Sequence, residues 1–149
     1  MDQLIAFTGV DFQAVNIHEA ELQGVEVEYS LDGAKWLFNA NVTLQSTKDL
    51  STGASLLRRP DQKASITVNR LFANGSWVAG EWFASGERMD FGGQVLPGYG
   101  LFNMSAGYRF SPAYSVEFRL DNLLDQDYEA ASGFNSAERS AFVSLNWSP

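Results

Sequence analysis

The chain contains no cysteine, which excludes disulfide staples, thiol nucleophiles and zinc–thiolate centres together. It has one histidine, His18, so a His-based metal cluster is out of reach. A Ser-His-Asp relay is excluded too, because His18 stands beside Glu19 with no positioned serine and no glycine elbow anywhere. Basic residues are scarce. Ten Lys and Arg against 18 Asp and Glu give a net charge of −8, and such a chain lacks the cationic footprint that phosphate neutralisation demands. No nucleic-acid partner is expected. Long apolar runs are also missing, and nothing approaches the roughly 20 residues of a membrane helix. The opening Met1-Asp-Gln-Leu-Ile-Ala-Phe7 has no basic region and no cleavage site, so a secreted protein with this sequence is expected to be a mature form or a fragment.

What the chain does have is aromatic side chains at 13% and a repeated alternation of apolar with polar residues, both of which favour strands. Trp36, Phe38, Ala40, Val42 and Leu44 alternate with Lys35, Asn39, Asn41, Thr43 and Gln45. The same period of two puts Phe102, Met104, Ala106, Tyr108 and Phe110 against Asn103, Ser105, Gly107 and Arg109. It recurs in Tyr114 to Asp121 and in the last strand, where Ala141, Val143, Leu145 and Trp147 face away from Ser140, Ser144 and Asn146. Weaker versions lie at Val25 to Leu31 and Ala64 to Val68, and Trp77 to Ala84 is ambiguous because both faces carry aromatics.

Asp32-Gly33 and Asn74-Gly75 are hairpin signals, and Ser111-Pro112 marks a third tight reversal. Between them lie longer polar connections at about residues 9–16, 49–60, 87–98 and 123–137. Short and long connections therefore alternate. That predicts an all-β, antiparallel up-and-down meander of about eight strands, the first near residues 2–8, in one domain over 1–149. A mean hydropathy of −0.17 fits transmembrane strands, which need only about 9–11 residues with every second one apolar. Aromatics near strand ends (Trp36, Tyr108, Phe110, Tyr114, Trp147) and mixed Ser, Asn, Thr, Glu and Arg faces favour an apolar face on lipid. The alternative is a self-contained small barrel, either in a membrane or soluble around a small ligand.

Five segments, in order, resemble the TonB-dependent outer-membrane receptors of the vitamin B12 and siderophore type: Ala20-Glu-Leu-Gln-Gly-Val-Glu26, Asn41-Val-Thr-Leu44, Leu57-Arg-Arg-Pro60, Leu96-Pro-Gly-Tyr99 and Asp121-Asn-Leu-Leu-Asp-Gln-Asp-Tyr128. The resemblance implies the C-terminal part of a 22-stranded transmembrane β-barrel in a Gram-negative outer membrane, without plug domain or coupling motif. It implies as partners the outer-membrane lipid, the plug and remaining strands, the TonB energy-coupling complex acting through the plug, and a small ligand such as a siderophore or cobalamin. Two departures from the pattern are Leu124 where Phe is commoner and Ser148-Pro149 behind the terminal aromatic Trp147.

No catalytic, cofactor-binding, metal or ligand-binding residues are assigned. Asp125, Asp127 and Glu129 alternate as cation ligands would, but no glycine-rich loop or bidentate partner accompanies them, so a loop-capping role is expected. Arg58 and Arg59 could grip an anionic ligand; the expectation is that they bond carboxylates and carbonyls while Pro60 sets the entry to the next strand. Glu26, Glu28, Glu117, Arg119 and Asp121 are expected on the wet face in an ion-pair and hydrogen-bond network. Glu26 and Glu28 sit about 7 Å apart on one strand face, a spacing that recurs on every polar face and so marks no glycosidase pair. The chain is not expected to be an enzyme.

Overall fold

A computed structural model describes the backbone of residues 2–8 and 13–148 and the side chains of 19–148. Strands β1 (Asp2–Thr8), β2 (Gln13–Asp32), β3 (Trp36–Asp49), β4 (Gln62–Leu71) and β5 (Trp77–Ser85) are followed by a two-stranded ribbon of β6 (Arg88–Met89) and β7 (Val95–Leu96). Strands β8 (Tyr99–Arg109), β9 (Tyr114–Asp121) and β10 (Ser140–Trp147) complete the chain. Eight strands form one antiparallel sheet in the order β1-β2-β3-β4-β5-β8-β9-β10, so each pairs with its neighbour in sequence apart from the ribbon's excursion. The expected meander is there.

Register explains why the alternation matters. Val27 lies opposite Val42, Ala40 opposite Ile66, Ile66 opposite Trp82, Trp82 opposite Phe102 and Phe118 opposite Val143, so one face is apolar from β2 to β10. The other face pairs Glu28 with Asn41, Thr67 with Glu81, Glu81 with Asn103 and Ser105 with Arg119. Trp77 to Ala84 now divides cleanly: Val78 and Trp82 join the apolar face, while Trp77, Glu81 and Phe83 join the polar one.

Among the described residues nothing covers the apolar face. Val27, Val143 and Leu145 are 59%, 67% and 70% exposed, and the only buried apolar side chains among the described residues are Ala20, Leu56 and Leu96, at the long-loop end. A soluble barrel would turn this face inward, so the arrangement requires lipid as its solvent. The apolar band has a definite height. On β3 it runs from Trp36 to Leu44, nine residues, before Ser46 and Lys48 follow on the same face; on β2 it ends at Val25, beyond which stand Gln23 and Glu21. Nine residues match the roughly 9–11 that a tilted strand needs to cross hydrocarbon. Trp36, Tyr108, Phe110, Tyr114 and Trp147 all lie at the short-turn rim, as an interfacial girdle does, with Phe110 and Tyr114 stacked at 5.9 Å.

Two expectations need correction. The first connection was read as residues 9–16, but 13–16 are already strand, because β2 outruns β3 and pairs there with β1; residues 9–12 lie outside the described residues. The self-contained barrel also fails among the described residues: Ala20 to Asp32 of β2 pair only with β3, and β10 pairs only with β9. The sheet is open at both edges, which a bilayer does not tolerate without further strands.

Two motif glycines owe their identity to close backbone approach. A Cβ on Gly24 would lie 2.5 Å from the Leu44 carbonyl oxygen, and one on Gly98 would lie 2.8 Å from that of Ser85. Neither backbone can yield without breaking the ladder, so Ala20-to-Glu26 and Leu96-to-Tyr99 both require glycine.

Candidate functional site: three loops knotted at the long-loop rim

The long connections after β3 (50–61), β5 (86–98) and β9 (122–139) fold onto one another through a single buried carboxylate. Asp90 is 0% exposed. Its Oδ1 accepts from Arg58 Nε at 2.9 Å and from the Phe91 N–H at 2.8 Å; its Oδ2 accepts the Ser132 N–H at 2.6 Å. One residue per loop thus meets at one group. Burial alone would raise this carboxyl's pKa, but the N–H groups of Ser132 and Phe91 and the Arg58 guanidinium outweigh it and hold the group below its ordinary value.

Arg88 makes a second tie. It is buried, donates to the carbonyls of Glu129 and Ala130 in the third loop and of Pro97 in its own, and lies 5.1 Å from the Tyr99 ring centroid. Tyr99 stands on the polar face between Phe83, at 6.1 Å, and Tyr128 of the third loop, at 4.5 Å. That stack pulls the third loop over the polar face. Further bonds run from Arg58 N–H to the Met89 carbonyl and from Ser132 Oγ to Gln94 Oε1.

The third loop is held at its root by Asn122, which is buried and in the left-handed region with φ 49. Its side chain accepts from Gln126 N–H at 2.9 Å and donates to the carbonyls of Gln126 and Ala137, while its own N–H donates to Asn103 Oδ1. A short polar side chain suits that conformation. Beside it opens a cavity of about 600 Å³ lined by Pro97, Gln126, Asp127, Tyr128, Glu129 and Glu138 among others.

The sequence-flagged residues fall into three groups. Arg58 finds a carboxylate, as expected, but that of a loop residue which the sequence reading did not single out; Arg59 stays exposed, and Pro60 gives its carbonyl to Gln45 Nε2. Asp125 caps a loop: its Oδ1 accepts the Arg139 N–H at 2.9 Å and its Oδ2 pairs with that guanidinium at 3.6 Å, while Asp127 and Glu129 line the cavity. Among the described residues no group of three carboxylates is arranged to hold a metal ion. On the polar face, Glu26 accepts from Asn41, Arg119 pairs with Asp121 at 2.8 Å and lies over Phe142 at 4.8 Å, and Glu117 borders a small pocket with Trp77. The His18 side chain lies outside the described residues.

Asp90, Arg88, Gln94 and Ser132 were missed. The available signal was Asp90 standing before Gly92 and Gly93, both at positive φ, where an aspartate caps a tight turn.

Comparison with known proteins places this geometry. A family model described as TonB dependent receptor-like, beta-barrel, matches residues 1–123. The vitamin B12 transporter BtuB of Vibrio cholerae is 27% identical over 138 residues, which is 88% of this chain and 22% of that protein. BtuB of Photobacterium profundum is 26% identical over 162 residues, 99% of this chain and 26% of that one. Among solved structures the copper transporter OprC aligns with a TM-score of 0.78 at 20% identity, covering 99% of this chain and 27% of that chain. The ferripyoverdine receptor of the Pseudomonas aeruginosa outer membrane aligns at 0.74 and 21%, covering 91% and 20%. The chain thus spans about a quarter of the length of the relatives it matches.

Proposed function

This chain belongs to the TonB-dependent receptor β-barrel family and lies in the outer membrane, and on that premise we propose that residues 1–149 form a C-terminal barrel segment of an uptake receptor. The segment supplies wall, lumen lining and extracellular loops for the energy-coupled import of a scarce ligand of the siderophore or cobalamin class. The observation that carries this is the open sheet with one lipid-facing side and knotted loops at one rim: it has a wall's faces and lacks a wall's closure. The missing strands, the plug and, through the plug, the TonB complex are its partners; nucleic acid is not. It works as a transporter part and not as an enzyme, since its polar-face carboxylates are spread along a lumen wall.

The test is uptake by cells that express the full receptor carrying this chain, with and without a working TonB complex. Labelled ferric siderophores and cobalamin are offered in turn; accumulation of one of them that disappears without TonB is expected, and no TonB-dependent uptake of any would overturn the reading. Orientation is tested separately. Exposed Ser55 sits in a long loop and Ala73 in a short turn, so in intact cells S55C should react with an impermeant maleimide and A73C only after the outer membrane is opened. Labelling of A73C from outside would invert the topology.

A further inference from the structure

The lipid-facing side carries one charge inside its rim. Following the register, the outward positions of β2 to β10 include, among the described residues, four charged side chains: Glu19, Glu21 and Lys48 stand beyond the apolar band at the long-loop end, and Arg70 lies opposite Trp36 at the short-turn end. A charge on this face is costly unless it reaches the headgroup layer. Arg70 is at that level, in the aromatic girdle, and its Cζ lies 4.8 Å from the Trp36 ring and 5.7 Å from the Phe72 ring. Rings over the guanidinium engage its faces and leave its in-plane N–H groups pointing outward.

Those donors are almost unused. Arg70 makes one side-chain hydrogen bond, to the Lys35 carbonyl at 3.5 Å, and among the described residues it has no carboxylate within ion-pair distance. Lys35, in the neighbouring turn, is exposed and has no ion-pair partner among the described residues. Among the described residues the charged side chains of this rim are Asp32, Lys35, Arg70 and Arg109, three cations and one acid in a chain of net charge −8. A fixed guanidinium with free donors, a lysine in the turn whose backbone carbonyl it binds and aromatic rings at headgroup depth together fit a phosphodiester oxygen pair.

We propose that Arg70 and Lys35 form a site for the phosphate of a phospholipid in the periplasmic leaflet, with Trp36 and Phe72 orienting the guanidinium and packing on the glycerol and upper acyl chain. Two adjacent cations give it a preference for an anionic headgroup over a zwitterionic one. The inference rests on the membrane orientation given above, and its test does not depend on that orientation.

The experiment uses the full receptor in phosphatidylcholine nanodiscs containing graded phosphatidylglycerol, with tightly retained lipid counted by native mass spectrometry after transfer to detergent. Wild type should retain one phosphatidylglycerol more than R70Q, and K35Q should need about five- to tenfold more phosphatidylglycerol for the same retention. R70K, which keeps the charge but not the fork, should fall between wild type and R70Q. K48Q, on the same outward face at the opposite end, should match wild type. Equal retention by wild type and R70Q, or equal loss in K48Q, would overturn the site. Both leaflets of the disc hold the same lipid, so a reversed cysteine-labelling pattern would change the leaflet assigned and leave these counts intact. Heat-modifiable migration of each variant separates loss of the lipid from loss of the barrel.

Discussion

Replacing Asp90 with alanine is expected to free three loops at once while leaving the sheet intact. The carboxylate is completely buried and each of its oxygens is used, so its removal takes away the acceptor shared by the Ser132 and Phe91 N–H groups and the Arg58 guanidinium. Breaking a buried pair costs about 3–5 kcal/mol. Arg58 is 39% exposed and regains water, which discounts the cost to about 2–3 kcal/mol. Hydrogen exchange on the full receptor should then show amides across 50–61, 86–98 and 122–139 exchanging roughly thirty- to 150-fold faster, with strand amides such as Val42 unchanged. D90N should lie between, because the amide keeps the shape but must point a donor at another donor. Faster exchange confined to 88–93 would mean that the loops are held separately.

The same group fixes a pH dependence. The folded carboxyl sits below its ordinary value despite burial, so the unfolded loop binds a proton more readily than the folded one. The stabilisation is therefore complete above the usual Asp range of about 4, and is lost as pH falls through the lower folded value. Asp49, at the base of the first long loop, acts in the same direction, since the Ser51 hydroxyl and nearby N–H groups hold its carboxyl below the ordinary range. Acid opening of the loops should begin below pH about 4 in wild type, and D90N should keep only the shallower part of that pH dependence, which Asp49 contributes.

How much of this was legible in the sequence follows from what each level of structure depends on. Alternation is a property of neighbouring residues, so the faces of β3, β8, β9 and β10 could be read from Trp36 to Leu44 and the later runs alone. The alternation was the same for lipid and for a soluble core; the aromatics near strand ends favoured lipid, and the uncovered Val27, Val143 and Leu145 separate the two in the structure. The motif segments identified a family without giving a reason for their residues. The reasons are three-dimensional: Gly24 lies against the Leu44 carbonyl, Arg58, Asn122 and Asp125 hold positive φ, and Arg58 reaches a carboxylate 32 positions away. Asp90 carried no periodicity and belonged to no recognised segment, because a knot between loops depends on contacts far apart in sequence. β2 was read too short for a similar reason, since residues 13–19 are strand only by virtue of β1 beside them.

A lysine at Ile66 is expected to block insertion of the full receptor into lipid, while a lysine one residue away at Thr67 is tolerated. Ile66 lies opposite Ala40, midway along the Trp36-to-Leu44 band, and is therefore at the centre of the hydrocarbon. A charge there costs about 2–4 kcal/mol and is too deep to snorkel to either headgroup layer. Thr67 points to the polar face, opposite Asn39 and Glu81, where an added ammonium meets a carboxylate and water. Adjacent residues of the same strand share backbone, propensity and depth, so any difference between I66K and T67K isolates the face. Folding into phosphatidylcholine vesicles, followed by heat-modifiable migration across a urea series, should show the I66K midpoint well below wild type and T67K within experimental spread of it. Should the two variants respond alike, the apolar face would not be the lipid face. A T67K penalty exceeding that of I66K would turn the sheet over, placing Glu26, Glu28 and Arg119 against the membrane, an arrangement that their desolvation forbids.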